Sequence, residues 1–323
     1  MPTRRSPPLP NPAVTASTLL GPYARGCLFV VSGGLVLSLG VFFIRGAAEA
    51  DAFQYVFWRS LGFTAALVAV AAVRGTESPA RQLARLPLAG WFGGAAIALS
   101  AMTFILALKV SSFAETFFLC SLAPLMAAAL ARPLLGERLT TGTVLAIALA
   151  VAGVWVMVGG DFTGGNWTGR ALALVSAATF AGYTLATRAA AAHALDALLI
   201  AFGLIATGSA ALVLLVAGGP FLPPLSNVLI GFVHGGFVLS LGLWLFGQGS
   251  RHVSAVTLTM LAQTEAIAAP IWAALAFGER PGLAVVTGGA MIFAAVIGQA
   301  IDAARRVGAA PSARSPGDIP APP

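Results

Sequence analysis

The chain has 323 residues, of which 58% are hydrophobic and only 9% are charged, and its formal net charge is +7. Soluble globular domains are about 25% charged, so this composition excludes an ordinary soluble domain. The basic residues lie at the ends of apolar runs rather than in one patch, which argues against nucleic-acid binding and is typical of signals that orient membrane helices.

The apolar residues fall into ten runs, and a helix needs about 20 residues to cross a membrane. The runs are apolar on all sides and lack the alternation of a transmembrane β-barrel, so they predict an all-α integral membrane protein. Spans 1 to 10 are predicted at 27–44, 53–73, 87–108, 114–131, 141–158, 169–187, 195–216, 228–246, 255–275 and 283–301. Residues 1–25 and 302–323 are predicted to be disordered cytoplasmic tails, because they are polar or rich in proline and alanine.

The Lys and Arg residues between the spans indicate the orientation of the chain. With the amino terminus in the cytoplasm, Arg45, Lys109, Arg170 and Arg280 fall on the external side. Arg59 lies within span 2, and the other thirteen basic residues fall on the cytoplasmic side. Because cytoplasmic loops carry an excess of Lys and Arg, this bias predicts an even number of spans and two cytoplasmic termini. We therefore expect a multi-pass protein of the cytoplasmic (inner or plasma) membrane.

One charged tripeptide, Gly-Glu-Arg, occurs twice, at residues 136–138 and 278–280. A shift of 142 residues aligns the two copies and also aligns Lys109 with Arg251. The alignment predicts a duplicated unit of five spans. The two units are 26–158 and 169–301. Since five crossings leave the second unit upside down relative to the first, we expect two inverted repeats, which are typical of secondary transporters.

Each tripeptide lies in a tight turn at a membrane face, and we expect it to be structural. Glu137 and Glu279 are predicted to interact with the start of the helix that follows, where a carboxylate is favourable. The arginine of each copy can reach the lipid head groups.

The two stretches 107–157 and 249–298 share an order of features: a basic residue, a helix of small residues, the Gly-Glu turn and a closing helix. With the segment YVFWRSLGFTAALV of span 2, they resemble the drug/metabolite transporter superfamily in its EamA-type branch. The resemblance implies ten helices, cytoplasmic termini and the export or import of small metabolites. The chain departs from the family where Ala266, rather than the frequent proline, follows Glu265.

Polar side chains within the spans are costly, which makes them candidates for function. Glu265 lies midway along span 9 and is predicted to bind a cationic group of the substrate or to carry a proton; a structural hydrogen bond is the alternative. Gln263, beside it in the same span, is also predicted to bind the substrate. His234 in span 8 is predicted to contact the substrate, since histidine titrates near neutral pH, or else to bind a carbonyl. Gly231 and Gly235 flank this region with the spacing that suits close helix packing.

Arg59 and Glu115 are predicted to lie on the outer side of the membrane, in span 2 and at the start of span 4. We expect them to form an ion pair, with a role in substrate binding or coupling as the alternative. Tyr183, Trp244 and Ser121 complete the predicted substrate-binding residues, although aromatic side chains in membrane helices also serve packing.

Three classes of function remain, and the sequence favours a secondary active transporter. It would move small metabolites, amino acids or related compounds among them, by alternating access, and Glu265 suggests proton coupling. One alternative is a membrane-embedded enzyme acting on lipids, but the sequence shows no cluster of catalytic residues. The other is a non-transporting scaffold, which would not need a carboxylate such as Glu265 in the membrane. We expect no catalytic residue, metal or cofactor. The expected partners are a small-molecule substrate and the lipid bilayer, and a homodimer stays open.

Overall fold

The computed structural model describes residues 21–75, 77–135, 140–159, 166–189, 195–253 and 255–309, and these ranges contain helices joined by short turns and no β-strand. Within them, nine helices are long and apolar enough to cross a membrane. Span 6, the helix Trp167–Ala189, is equally long but less apolar, because it carries Arg170, Ser176 and Thr179. The ten predicted spans are thus all present as helices, and the protein is an all-α, multi-pass membrane protein.

The helices follow the predicted spans closely. The first five spans are Pro22–Ser38 continued by Gly40–Gly46, Ala52–Arg74, Leu88–Val110, Phe113–Cys120 continued by Ala123–Leu135, and Thr141–Gly159. The second five are Trp167–Ala189, Leu195–Val216, Leu225–Ser250, Ala255–Phe277 and Leu283–Ala309. A short helix, Pro79–Ala84, joins spans 2 and 3. The last helix extends beyond the predicted end at residue 301 into the predicted tail, whereas 1–20 and 310–323 lie outside the described residues.

Local hydrogen bonds determine where span 2 begins, and this matters because span 2 carries Arg59. The side chain of Asp51 accepts hydrogen bonds from the backbone N–H groups of Phe53 and Gln54, at 2.6 and 3.0 Å. The side chain of Gln54 accepts one from the N–H of Asp51 at 2.9 Å, which completes a capping box. Span 2 ends at Gly75, which has a φ of 62°, in the left-handed region that glycine adopts readily.

The spans pack in pairs that repeat between the two halves of the chain. Span 3 packs on span 6, and the equivalent spans of the other half, 8 and 1, also pack on each other. In the same way span 1 packs on span 9, and the equivalent spans 6 and 4 pack on each other. Spans 2 and 7 pack on each other, and so do spans 5 and 10. If each span is replaced by the span at the equivalent position in the other half of the chain, the same set of pairs results. The contacts therefore follow the pattern of two related five-helix units, which are inverted because each has an odd number of crossings.

Glycines allow spans 2 and 8 to approach closely. A Cβ atom added to Gly235 would lie 1.7 Å from the carbonyl oxygen of Arg59, and one added to Gly62 would lie 2.2 Å from the carbonyl oxygen of Phe232. Gly231 packs on Trp58 in the same contact. The close packing predicted from the spacing of Gly231 and Gly235 is confirmed, and it brings the backbone of span 8 directly against that of Arg59.

Span 8 changes its winding at this contact. Residues His234–Leu239 form a π-helical segment between the α-helices Leu225–Val233 and Ser240–Ser250. Such segments are often found at functional sites, because they rotate the side chains that follow relative to a regular α-helix. Here the segment begins at His234, one of the predicted site residues.

The contact between spans 2 and 8 can be tested by adding a methyl group to it. The variant Gly235→Ala should lower the melting temperature of the purified protein in detergent, since the new Cβ must push the two backbones apart. We expect a loss of about 1–3 kcal/mol. Gly247→Ala in the same span is the control, because a Cβ there meets no atom within 4 Å. Equal melting temperatures for the two variants would contradict the contact.

Candidate functional site

A cavity of about 40 Å³ lies between spans 1, 2, 3, 4, 8 and 9, so both halves of the chain form its walls. Three of its lining side chains are polar: Arg59, His234 and Glu265. The apolar lining comprises Leu37, Gly40, Val41, Ile44, Phe104, Phe117 and Leu239. Pockets for drug-sized ligands have volumes of about 300–1,000 Å³, so this cavity has room for no more than a few water molecules.

His234 is held by a hydrogen bond across the contact between spans 2 and 8. Its Nδ1 lies 2.5 Å from the hydroxyl of Tyr55, and both residues are buried. The ring of Phe43 stacks on the imidazole with 5.3 Å between centroids. On the other side of the ring, Nε2 faces Gly40, where an added Cβ would lie only 3.0 Å away. The imidazole is therefore fixed at one nitrogen, and the glycine leaves room beside the other.

Arg59 is the basic residue of the cavity and is 5% exposed. Its Nε and Nη2 atoms are buried and have no hydrogen-bond partner. Buried donors of this kind are rare in folded proteins, because an unmade hydrogen bond costs about 1–3 kcal/mol. These two N–H groups are thus available to a ligand in the cavity.

Glu265 is the acidic residue of the cavity. It shares the cavity with Arg59, and the ion pairs found among the described residues do not include one between these two side chains. The backbone of span 9 can carry Glu265 this close to span 1 because residue 34 is glycine: a Cβ there would lie 3.2 Å from the backbone nitrogen of Glu265. The cavity therefore combines one cationic and one anionic side chain with an apolar lining.

Three of the predicted site residues, Arg59, His234 and Glu265, converge on this cavity. The other predicted binding residues are not among those that line it. Gln263 is buried elsewhere in span 9, and the hydroxyl of Ser121 donates to the carbonyl of Phe118 in its own helix. Tyr183 packs on Phe180 and borders a separate apolar cluster, and Trp244 is 43% exposed.

Tyr55 and the stripe of span 1 that faces the cavity were not predicted from the sequence. Tyr55 precedes Arg59 by four residues, which places both on one face of the helix. The residues Leu37, Val41 and Ile44 recur at helical spacing in the same way. Both spacings are visible in the sequence, but apolar and aromatic stripes occur on many membrane helices, so they do not single out a site.

The predicted ion pair between Arg59 and Glu115 is wrong. One carboxylate oxygen of Glu115 accepts a hydrogen bond from Nε of Arg170 at 2.5 Å, and the other accepts one from the hydroxyl of Ser111 at 2.7 Å. The guanidinium of Arg170 also lies over the ring of Trp167, 5.3 Å from its centroid. The start of span 6 packs on span 4, so Arg170 reaches Glu115, whereas Arg59 lines the cavity with His234 and Glu265.

A second group of polar contacts closes one end of the bundle. The carboxylate of Glu279 accepts a hydrogen bond from Nη2 of Arg45 at 2.9 Å and from the backbone N–H of Phe113 at 3.3 Å. Nearby, Nζ of Lys109 donates to the carbonyls of Ala47 and Ala50, at 2.8 Å each. Glu279 was predicted to act at the start of span 10, but it caps the start of span 4 in the other repeat. Glu137 lies outside the described residues.

The pair of Arg170 and Glu115 is buried, with side-chain exposures of 4% and 9%, so breaking it should destabilise the protein. Arg170→Met should destabilise the protein by about 3–5 kcal/mol, because it leaves the carboxylate of Glu115 buried without its partner. The double variant Arg170→Met/Glu115→Gln should regain part of that loss. Thermal unfolding of the purified protein in detergent measures both effects.

The matched control for this experiment is the exposed pair of Arg85 and Glu77. Arg85→Met should change stability by no more than about 1 kcal/mol, because exposed ion pairs contribute little. A loss as small for Arg170→Met as for Arg85→Met would contradict the role of the buried pair.

Comparison with known proteins gives a match to a family model and matches to solved structures. The family model described as "EamA-like transporter family" matches the chain twice, over residues 24–159 and 167–299. Each match covers most of five spans, so the two matches follow the two five-helix units. A solved structure described as "Crystal structure of protein" matches with a TM-score of 0.62 and 20% identity, over 87% of this chain and 98% of that chain. No curated protein sequence matches this chain.

Proposed function

This chain belongs to the EamA-like transporter family, within the drug/metabolite transporter superfamily, and on that premise we propose that it is a secondary active transporter. Its substrate is a small metabolite that occupies the cavity at Arg59, His234 and Glu265. The observation that carries this proposal is that polar side chains from both repeats meet in one small cavity.

The position of the cavity favours alternating access. Spans 1 to 4 come from the first repeat and spans 8 and 9 from the second, so the cavity lies where the repeats meet. A site between inverted repeats can face either side of the membrane as one repeat rocks against the other. The small volume of the cavity supports the assignment of this structure to a closed step of such a cycle.

The contacts of Glu279 act as the closure on one side. Glu279 lies in the turn after span 9 and binds Arg45 at the end of span 1 and Phe113 at the start of span 4. These contacts connect the two repeats. Arg45 follows Ile44, which lines the cavity, and Phe113 lies one turn before Phe117, which also lines it. Opening the cavity at this end requires these contacts to break. The distribution of basic residues supports an orientation with this end on the external side and both termini in the cytoplasm.

Proton coupling is assigned to Glu265. It is the carboxylate of the cavity, which it shares with the guanidinium of Arg59 and the imidazole of His234. A carboxylate that is exposed to each side in turn can take up a proton on one side and release it on the other.

The role of Glu265 is tested by measuring transport in proteoliposomes with an imposed pH gradient and labelled amino acids. Glu265→Gln keeps the size of the side chain but cannot exchange a proton, so transport should stop or lose its dependence on the gradient. Glu77→Gln, a neutralised carboxylate at the surface, should behave as wild type. Wild-type rates and wild-type pH dependence in Glu265→Gln would overturn the proposal.

The closure is tested by linking its two sides. In a background in which Cys27 and Cys120 are replaced by alanine, cysteines are placed at Arg45 and Glu279. A bifunctional, reducible thiol reagent should stop transport in the double variant, and a reductant should restore it. Each single cysteine variant, treated in the same way, provides the control. Transport at an unchanged rate through the linked protein would exclude an opening at this end.

A further inference from the structure

A groove of about 260 Å³ lies between spans 4, 5 and 6 and shares no lining residue with the cavity at Arg59. We propose that this groove binds one acyl chain of a membrane phospholipid, whose head group lies at the end of the bundle that Glu279 closes. The site is separate from the cavity assigned to transport, so it can be tested without a transported substrate.

The groove exists because two consecutive spans separate from each other. The second part of span 4, Ala123–Leu135, packs mainly on span 6, whereas span 5 packs along span 10. Between spans 4 and 5 the lining includes the small side chains of Ala129 and Ala150, which do not fill the space. Since lipid provides no strong hydrophobic force that draws helices together, close packing would be needed to shut this space, and the two alanines do not supply it.

The lining determines the class of ligand. It consists only of alanine, valine, leucine, isoleucine, methionine and tryptophan side chains. A polar part of a ligand would lose its hydrogen bonds with water here and gain few in return. An apolar cavity of about 150 Å³ is large enough to bind benzene, so this groove has room for a longer hydrocarbon. The ligand is therefore a hydrocarbon chain or the chain of a lipid.

The dimensions of the groove match one chain. It follows span 5 from Ile147 to Trp155, a length of about 12 Å at 1.5 Å per residue. With the volume of about 260 Å³, this gives a mean cross-section of about 20 Å², far less than that of an α-helix, which is about 10 Å across. A stable protein interface also buries about 800 Å² on each partner, much more than a groove of this size offers. A second copy of this chain is therefore not the occupant.

Trp155 indicates which end of the groove receives the head group. Its side chain lines the groove, is 67% exposed and lies one turn before Gly159, where span 5 ends. Tryptophan is enriched at this depth, because its ring is apolar and its N–H group favours the membrane surface. A chain that enters beside Trp155 extends toward Ile147 in the membrane interior, and its head group lies at the surface near Gly159. Because the spans alternate in direction, Glu279 lies at the same end.

The test uses the full-length protein in a steroid-based detergent, which has no flexible alkyl chain to fill the groove. Phosphatidylcholine with a photoreactive diazirine on one acyl chain is added in increasing amounts, and mass spectrometry locates the labelled residues after irradiation. Label on the groove should saturate at one lipid per protein. Label on an exposed residue elsewhere, such as Leu204, should rise in proportion to the added lipid. Label that rises in proportion at every exposed position would overturn the proposal.

Two valines of span 5 provide a matched pair of variants. Val151 lines the groove and Val144 does not, yet they are 51% and 50% exposed and lie seven residues apart on one face of the helix. Val151→Phe should lose the saturable label, because the larger side chain occupies the space of the acyl chain, and Val144→Phe should keep it. Ala129→Phe fills the groove from span 4 and should act like Val151→Phe. Saturable label at the wild-type level in both filling variants would overturn the assignment.

Thermal unfolding in the same detergent gives an independent measurement. Phosphatidylcholine should raise the melting temperature of the wild type and of Val144→Phe, because a ligand that binds only the folded protein stabilises it. The shift should be lost in Val151→Phe. An equal shift in all three proteins would show that the lipid acts elsewhere and would overturn the proposal. Protein dimers, detected by native mass spectrometry, that exclude the label from the groove would assign it to a second copy and would also overturn it.

Discussion

The guanidinium of Arg59 lies among membrane-spanning helices, where a charge is stable only when the protein itself surrounds and balances it. Much of the architecture around the cavity serves this requirement. The capping box at Asp51 sets where span 2 begins, and Gly235 lets span 8 cover the backbone of Arg59 directly. Gly34 then allows span 9 to bring Glu265 to the same cavity. One buried cation thus depends on contacts among spans that are far apart in the chain.

The charged residues of the described chain serve different purposes according to what they contact. Arg170 and Glu115 bind each other and join spans 4 and 6, while Arg45 and Glu279 join the two repeats at one end of the bundle. In both pairs the carboxylate accepts hydrogen bonds from the arginine and from a neighbouring group. Arg59 and Glu265 share a cavity without such a direct pair, and this difference marks them as groups available to a ligand.

Small residues make the two-repeat architecture possible. Lipid offers no strong hydrophobic driving force for helix association, so membrane helices associate through close packing. The chain has 37 glycines, and several lie where backbones of different repeats meet. In the contact of spans 5 and 10, for example, a Cβ on Gly288 would lie 2.4 Å from the carbonyl oxygen of Gly153. Larger side chains at such positions would separate the repeats and open the cavity walls.

The sequence by itself determined the membrane class, the ten spans, the five-span duplication and the candidacy of Arg59, His234 and Glu265. The spans follow from hydropathy along the chain, the duplication from the repeated Gly-Glu-Arg and its shift of 142 residues, and the candidate residues from the cost of a polar group within a span. None of these depends on which helices are neighbours. The tertiary structure decided the partners: Arg170 rather than Arg59 for Glu115, span 4 rather than span 10 for Glu279, and Tyr55 for His234. It also decided that Tyr183, Trp244, Ser121 and Gln263 lie away from the cavity. Partners of this kind depend on how each helix is rotated and which span packs beside it, and those are set by contacts between residues far apart in the chain.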